Sequence, residues 1–318
     1  MNWVESARGY RESGDYSLAL ESARRSPGAW GRIEESRALI WLGHYEAALA
    51  AARQAAAESS GISAGAAYTV LSEALVAVGQ PGEAMAVGLQ AVALASAVPL
   101  SNGLALVALA SAEHAQGRGP EAIATATRAI AVLTEAEVRP QDIALGTQAL
   151  AESCHVARQY GPASEAWNRT LALRREVLPA DHPELGVTLS GMALTARRLG
   201  LSSIAVELHG KAMAIYRARF DPGHPALAAC LHGLAQALHR QGRFVEARDH
   251  LAEALHLSEQ RQGSDHMHTW ITRFELGRME VDCGDPERGF ARMEAARMRL
   301  TEQLGDSHPT VRAMAEWL

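Results

Sequence analysis

The chain has 318 residues, of which 48% are hydrophobic but only 5% aromatic, and alanine supplies much of the apolar content. Alanine has the highest helix propensity and lets helices approach closely, while strand-forming runs of Val, Ile, Thr and aromatics are nearly absent, so the composition excludes a sheet protein and predicts an all-α fold. A net charge of −6 lacks the basic excess from which a nucleic-acid binder draws its affinity, and no nucleic-acid partner is expected.

Three cysteines, Cys154, Cys230 and Cys283, lie far apart with no CxxC pair. So sparse and odd a set argues against a disulfide framework and for a reducing compartment. The polar start, MNWVESARGYRESGDY, has no apolar core of the signal-peptide kind, so a cytoplasmic location is expected. Ala84 to Ala112 carries no charged residue, but Pro99 and the Ser101-Asn102-Gly103 cluster cut it into halves too short to cross a bilayer. Two buried helices joined by a turn are predicted there, and no membrane partner. Among the 30 Lys and Arg only Lys211 is lysine, a skew that suggests a GC-rich bacterial genome.

In chain order, eight glycines punctuate the sequence: Gly14, Gly43, Gly79, Gly117, Gly161, Gly200, Gly242 and Gly284. Five residues after them stand Ala19, Ala48, Ala84, Ala122, Ala166, Ala205, Ala247 and Gly289. Seven residues before them stand Ala7, Ser36, Ser72, Ala110, Cys154, Ala193, Ala235 and Gly277. Twelve residues after, alanine recurs in all units but two, where Ser26 and Leu173 replace it. A glycine ends a helix by taking left-handed angles without a Cβ penalty. Small residues at fixed distances on either side mark where the two helices of a hairpin cross, since larger side chains would hold the axes apart.

The columns therefore predict about eight helix–turn–helix units, stacked because a single hairpin cannot bury its own apolar face. The units run approximately 1–28, 29–60, 64–98, 102–138, 141–179, 183–221, 225–263 and 267–305, as one solenoid over 1–318. Thr310 to Leu318 reads as one more first helix, either a cap helix (309–318) on the open end of the stack or the opening of a ninth unit in a longer protein. Between units, Ser59-Ser60-Gly61, Pro99 to Gly103 and Arg139-Pro140 are breaks. After them His182-Pro183, His224-Pro225, His266 and His308-Pro309 recur every 42 residues, preceded by Asp181, Asp221, Asp265 and Asp306. Proline suits the first turn of a helix and aspartate the position before it, so these are predicted helix starts with aspartate as the capping residue.

The first unit, with Trp3, Ala7, Tyr10, Gly14, Tyr16 and Ala19, matches the tetratricopeptide pattern at its usual marker positions. The stretch DPGHPALAACLHGLAQALHRQGRFVEARDHLAEALHL, residues 221–257, closely resembles the longer repeat of kinesin light chains and their bacterial relatives. The resemblance covers nearly the whole chain, more strongly from about residue 140 onward. It implies a right-handed α-solenoid whose concave wall is built from the first helix of each unit and binds a protein or peptide. That family often carries paired asparagines on the groove side of the first helix. Ser190-Gly191 and His232-Gly233 stand there instead, so a ligand-gripping asparagine is not expected.

Helical periodicity places residues about two, three, six and ten before each glycine on the inner wall. In the C-terminal half these are His155, Arg158, Arg197, Arg198, His232, His239 and Arg240, a candidate groove for an acidic or C-terminal carboxylate peptide. The same arginines also suit solvated positions near helix ends, where positive charge is favoured. The His-Pro histidines and His266-Met267-His268 invite a metal reading, but ligands on successive repeats do not converge, and turn residues are expected, with no metal or other cofactor.

No His-Glu-x-x-His or phosphate-cradling loop is present, the cysteines fall at packing positions, and Glu152 with His155, three apart on one helix, could pair as base and orienter but is a pair that chance produces freely among 36 acids and 13 histidines; no catalytic residue is assigned. Three functions remain: a protein- or peptide-binding scaffold, a bacterial sensor module whose pitch changes on binding, and a solenoid closed round a small-molecule or catalytic pocket. Oligomeric state is open.

Overall fold

The computed structural model describes residues 2–306 and 308–318. Among the described residues the chain is all helix and turn, without a strand, and it divides into two compact units, Met1–Thr195 and Ala196–Leu318. In the first unit α1 (Trp3–Glu12) pairs with α2 (Tyr16–Arg24), α3 (Ala29–Trp41) with α4 (Tyr45–Glu58) and α5 (Ile62–Ala77) with α6 (Pro81–Ala95). There follow the hairpins of α7 (Pro99–Ala115) with α8 (Gly119–Glu135) and of α9 (Pro140–Val156) with α10 (Tyr160–Val177). Helix α11 (Pro183–Arg198) runs across the division and is followed by α12 (Ser202–Arg219). The second unit continues with α13 (Pro225–His239) against α14 (Phe244–Gln262), α15 (Met267–Asp282) against α16 (Pro286–Leu304), and α17 (Pro309–Ala315) on α16.

In the first unit each first helix also packs on the next one, α1 on α3, α3 on α5, α5 on α7 and α7 on α9. The first helices thus form a continuous inner layer and the second helices an outer one, as in repeat solenoids.

The small-residue columns are the seam of each hairpin. Ser36 Oγ donates to the Ala48 carbonyl at 2.9 Å and Ser72 Oγ to the Ala84 carbonyl at 2.9 Å, so the residue seven before the glycine touches the residue five after it. In the last hairpin both places are glycine, and a Cβ on Gly277 would lie 2.7 Å from the Gly289 carbonyl oxygen. The backbones themselves are in contact there, which no side chain would permit.

One unit departs from the predicted register. Gly161 lies in the first turn of α10, and the left-handed residue of that hairpin is Arg158, with φ 60°. Arg158 N–H bonds to the His155 carbonyl and Gln159 N–H to the Cys154 carbonyl, as Gly43 and His44 do in the second hairpin. The seam residues are accordingly Ala151 and Ala163, both fully buried, three positions ahead of Cys154 and Ala166. The turns at 158, 200, 242 and 284 then fall at an even spacing of 42.

Two further local expectations are corrected. The His-Pro segments do start helices, but histidine is the cap: Nδ1 of His182, His224 and His308 accepts the N–H of Glu184, Ala226 and Thr310 at 3.2, 3.2 and 3.3 Å. An imidazole nitrogen in this position satisfies one of the orphan donors of the first turn as an aspartate oxygen would. The break in the uncharged stretch falls at Ser96–Val98, with Pro99, Ser101, Asn102 and Gly103 already inside α7. No described helix is long and apolar enough to cross a membrane.

The glycines that replace the paired asparagines have a packing role. A Cβ on Gly191 would come within 2.2 Å of the Trp167 ring, and one on Gly233 within 2.6 Å of the His209 ring. Each glycine seats a ring carried by the second helix of the preceding hairpin, one repeat of 42 residues apart.

Candidate binding surfaces

The second unit carries a cleft of about 320 Å³ lined by Arg197, Gln236, His239, Arg240, Glu275, Arg278 and Met279. These come from α11, α13 and α15 or their C-terminal caps, so the first helices build it, as helical periodicity implies. Glu275 is engaged by Arg278 at 3.0 Å, and His239 Nε2 lies 2.6 Å from Asp282. Arg278 also stacks on Trp317, with its guanidinium carbon 3.7 Å from the ring centroid. Three arginines, Arg197, Arg240 and Arg278, and one acid, Glu275, line the cleft, which makes it basic.

Of the seven residues expected in a groove, Arg197, His239 and Arg240 meet at this cleft. His232 is partly buried beside it, 2.8 Å from the Gln236 amide, and burial lowers its pKa against the pull of Glu275, with Arg197 adding to the lowering. Arg198 is exposed and does not line the cleft. His155 and Arg158 belong to the first unit: His155 Nδ1 sits 3.1 Å from Thr195 Oγ1, and Arg158 is an exposed turn residue.

Spacing left the interior of the first unit unread. Arg139 Nη1 meets Glu12 at 2.8 Å, and the Gly14 turn lies so close to His182 and Pro183 that an added Cβ would be 3.0 Å from the proline ring. The end of the first hairpin therefore touches the starts of α9 and α11, and this unit closes on itself. Inside lies a cavity of about 200 Å³ to which α1, α3, α5, α7, α9 and α11 all contribute, through residues that include Arg11, Arg37, Glu73, Leu104, Asp142 and Glu184. Arg11, Arg37, Trp41 and Glu73 stand three, six, two and six residues before their turn glycines, so the offsets used for the C-terminal half pick them out when applied to the first three units.

Glu34 and Arg174, buried in this interior, are paired, whereas Glu113 on α7 is buried with one carboxylate oxygen that has no hydrogen-bond partner among the described residues. Glu34 accepts from Arg11 at 3.0 Å and Arg37 at 3.3 Å, and burial, which raises its pKa, is outweighed by these cations and Arg8 so that the pKa is lowered. Arg174, 1% exposed, meets Glu184 at 3.1 Å, Thr188 Oγ1 at 2.6 Å and Gln148 Oε1 at 2.6 Å.

Burial raises the thiol pKa of Cys154 and Cys283, which disfavours the reactive thiolate. Glu152 accepts from Gln148 at 2.9 Å while His155 faces Thr195, so they do not form a base–orienter pair. Among the described residues no three His, Cys, Asp or Glu side chains gather as a metal site, and the side chain of His268 lies outside the described residues.

Stacked hairpins with an inner wall of first helices define an α-solenoid repeat protein. Residues 203–260 match the tetratricopeptide repeat family, and the fold is that of tetratricopeptide solenoids. No curated protein matches significantly. Among solved structures the chain is similar to a Rap protein complexed with competence and sporulation factor, at 10% identity and a TM-score of 0.68, covering 99% of this chain and 95% of that one. It is similar to the Cut9–Hcn1 hetero-tetramer of the APC/C, at 12% identity and a TM-score of 0.70 over 99% of this chain and 53% of that one. Nearly identical TPR-like repeats of a Podosopora anserina kinesin light chain align at 21% identity and a TM-score of 0.56, over 64% of this chain and 97% of that one.

Proposed function

We propose that the chain is a protein- or peptide-binding scaffold, and that the cleft of the second unit receives an acidic segment of the partner. The observation that carries this reading is the meeting of Arg197, Arg240 and Arg278 from three successive repeats around one opening, with Glu275 as the single acid among the lining residues. Guanidinium groups grip carboxylates through paired N–H donors, and a rigid wall lowers the ordering cost of binding. Similarity to arrays solved with a bound factor or partner subunit supports it. The free cysteines suit a reducing, cytoplasmic setting for this work.

A sensor role is the second reading, favoured by the near-complete coverage shared with the Rap protein and its bound factor. In a repeat array small changes of angle between neighbours add up along the stack, so occupancy of the wall can alter its pitch.

The test starts from partners captured from native lysate and identified by mass spectrometry. Affinity of the acidic partner for the Arg197→Glu/Arg240→Glu variant should fall at least ~10-fold at low salt, and the deficit should shrink as salt screens the cleft. Unchanged affinity at low salt would overturn the basic-cleft reading.

A further inference from the structure

Among the acids that line the cavity of the first unit, Glu73 stands apart. Glu34, Asp142 and Glu184 each have an arginine at 3.0, 3.0 and 3.1 Å, from Arg11, Arg139 and Arg174 respectively. The carboxyl of Glu73, on α5, makes no salt bridge or hydrogen bond among the described residues. Confinement within the cavity raises its pKa, although Arg37 and Arg11 are near enough to pull it down and Glu34 adds to the rise. Glu73 is half-buried, so water can meet its carboxyl when the cavity is empty, and a cationic group that replaces this water gains a charge-assisted hydrogen bond. Arg11 and Arg37 bind Glu34 through Nε and Nη1 respectively, and a guanidinium has five N–H donors, so both retain capacity toward the same space. Ile40, Trp41, Leu104 and Leu145 make the apolar part of the wall.

We propose that this cavity binds a free α-amino acid or an amino-carboxylate of that size, with its ammonium on Glu73, its carboxylate on Arg11 and Arg37, and an apolar side chain against Trp41, Ile40, Leu104 and Leu145. Charge and size both point to this class. Arg11, Arg37 and Arg139 face Glu73, Asp142 and Glu184 in equal number, which suits a zwitterion and disfavours a polyanion such as a nucleotide. A volume of about 200 Å³ is smaller than the roughly 300–1,000 Å³ of drug-sized pockets and has room for on the order of seven waters. Such a ligand also gives Glu73 the salt-bridge partner that it lacks among the described residues.

The assignment is tested by isothermal titration calorimetry of the full chain against the free amino acids, their N-acetyl and amide derivatives, and dipeptides that begin with the same residue. At least one apolar amino acid should bind and raise Tm. Each blocked form should bind roughly 10-fold or more weakly, as expected for loss of a charge-assisted hydrogen bond. Glu73→Gln should weaken binding by a similar factor with Tm of the unliganded protein preserved. If no free amino acid binds, if the derivatives bind equally well, or if a dipeptide binds as tightly as its free amino acid, the proposal is wrong. Should Glu73→Gln fail to fold, the derivatives measured on the unaltered chain still decide. No partner protein enters the test, so its failure leaves the second unit's cleft untouched.

Discussion

The two units use the same hairpin and fill it differently. In the first, alanines crowd the seams and the buried interior includes Arg174, Glu34, Asp142 and Glu184, each held by an opposite charge. In the second, Leu234, Leu238, Leu251, Leu255, Leu276 and Met279 form one apolar cluster and Phe274, Met293 and Leu300 another, while His209 is buried as a neutral ring. The seam residues fix how hairpins cross and leave the other faces free. The first unit could therefore bury several ion pairs, while in the second the main clusters stay apolar and the buried carboxylate Glu280 is held by Arg288 and Arg292, without any change of fold. Buried charge is stable only while paired, so the first unit should be fragile toward loss of a single ionic partner, and the second toward a change in protonation.

The largest effect is expected at Arg174. Arg174→Ala removes the partner of Glu184 and leaves that carboxylate buried and uncompensated, with Gln148 and Thr188 also losing a bond. A loss of about 3–5 kcal/mol in urea denaturation is expected. Replacing the pair together, Arg174→Met with Glu184→Leu, should recover most of it, because an apolar pair carries no desolvation cost. If both variants lose equally, packing and not charge holds this part of the first unit.

In the second unit the sensitive group is His209, 1% exposed, whose pKa is held down at about 4 by burial and further by Arg197. Its ring rests on Gly233, and Cys230 Sγ lies 3.3 Å from its carbonyl oxygen. The folded imidazole stays neutral from pH 6.5 down to about 4, whereas the unfolded one takes up a proton across that window. Unfolding then binds the extra proton, so stability is full above pH 6.5 and falls as pH drops toward 4, by on the order of 3 kcal/mol. An imidazole ¹H–¹⁵N titration should show His209 neutral at pH 5, and His209→Gln should flatten the pH dependence of the urea midpoint between 6.5 and 4. A His209 signal titrating near 6.5 would contradict the buried neutral ring.

How much of this the residues announced follows the range of the interactions. The seam is local, repeated and nearly free of side-chain choice, so Ala7, Ser36, Ala235 and Gly277 marked the fold from spacing alone. The cleft was half legible: Arg197, His239 and Arg240 sit at fixed offsets from a turn, and those offsets survive folding. The cavity of the first unit rests on contacts between residues 12 and 139 and between 14 and 183, which no period encodes. The histidine caps were missed because the capping atom was assigned by residue preference, while the structure uses whichever side chain brings an acceptor to the second N–H of the helix.

The misplaced turn of the fifth hairpin yields the smallest and most discriminating prediction. Gly161 looks like the other turn glycines in the sequence, yet it is helical and an added Cβ would meet nothing within 4 Å, whereas Arg158 holds φ 60° without being glycine. Gly161→Ala should then raise stability by up to ~1 kcal/mol, since glycine in a helix costs about that much relative to alanine. Arg158→Gly should also stabilise, by a comparable or smaller amount, because it relieves a left-handed backbone while making the unfolded chain freer. The two changes lie in one short turn, and Tm measurements on both separate the registers. With the turn at 158 both substitutions raise Tm. With the turn at 161, Gly161→Ala would force alanine into left-handed angles and lower it, and Arg158→Gly would put glycine inside α9 and lower it too.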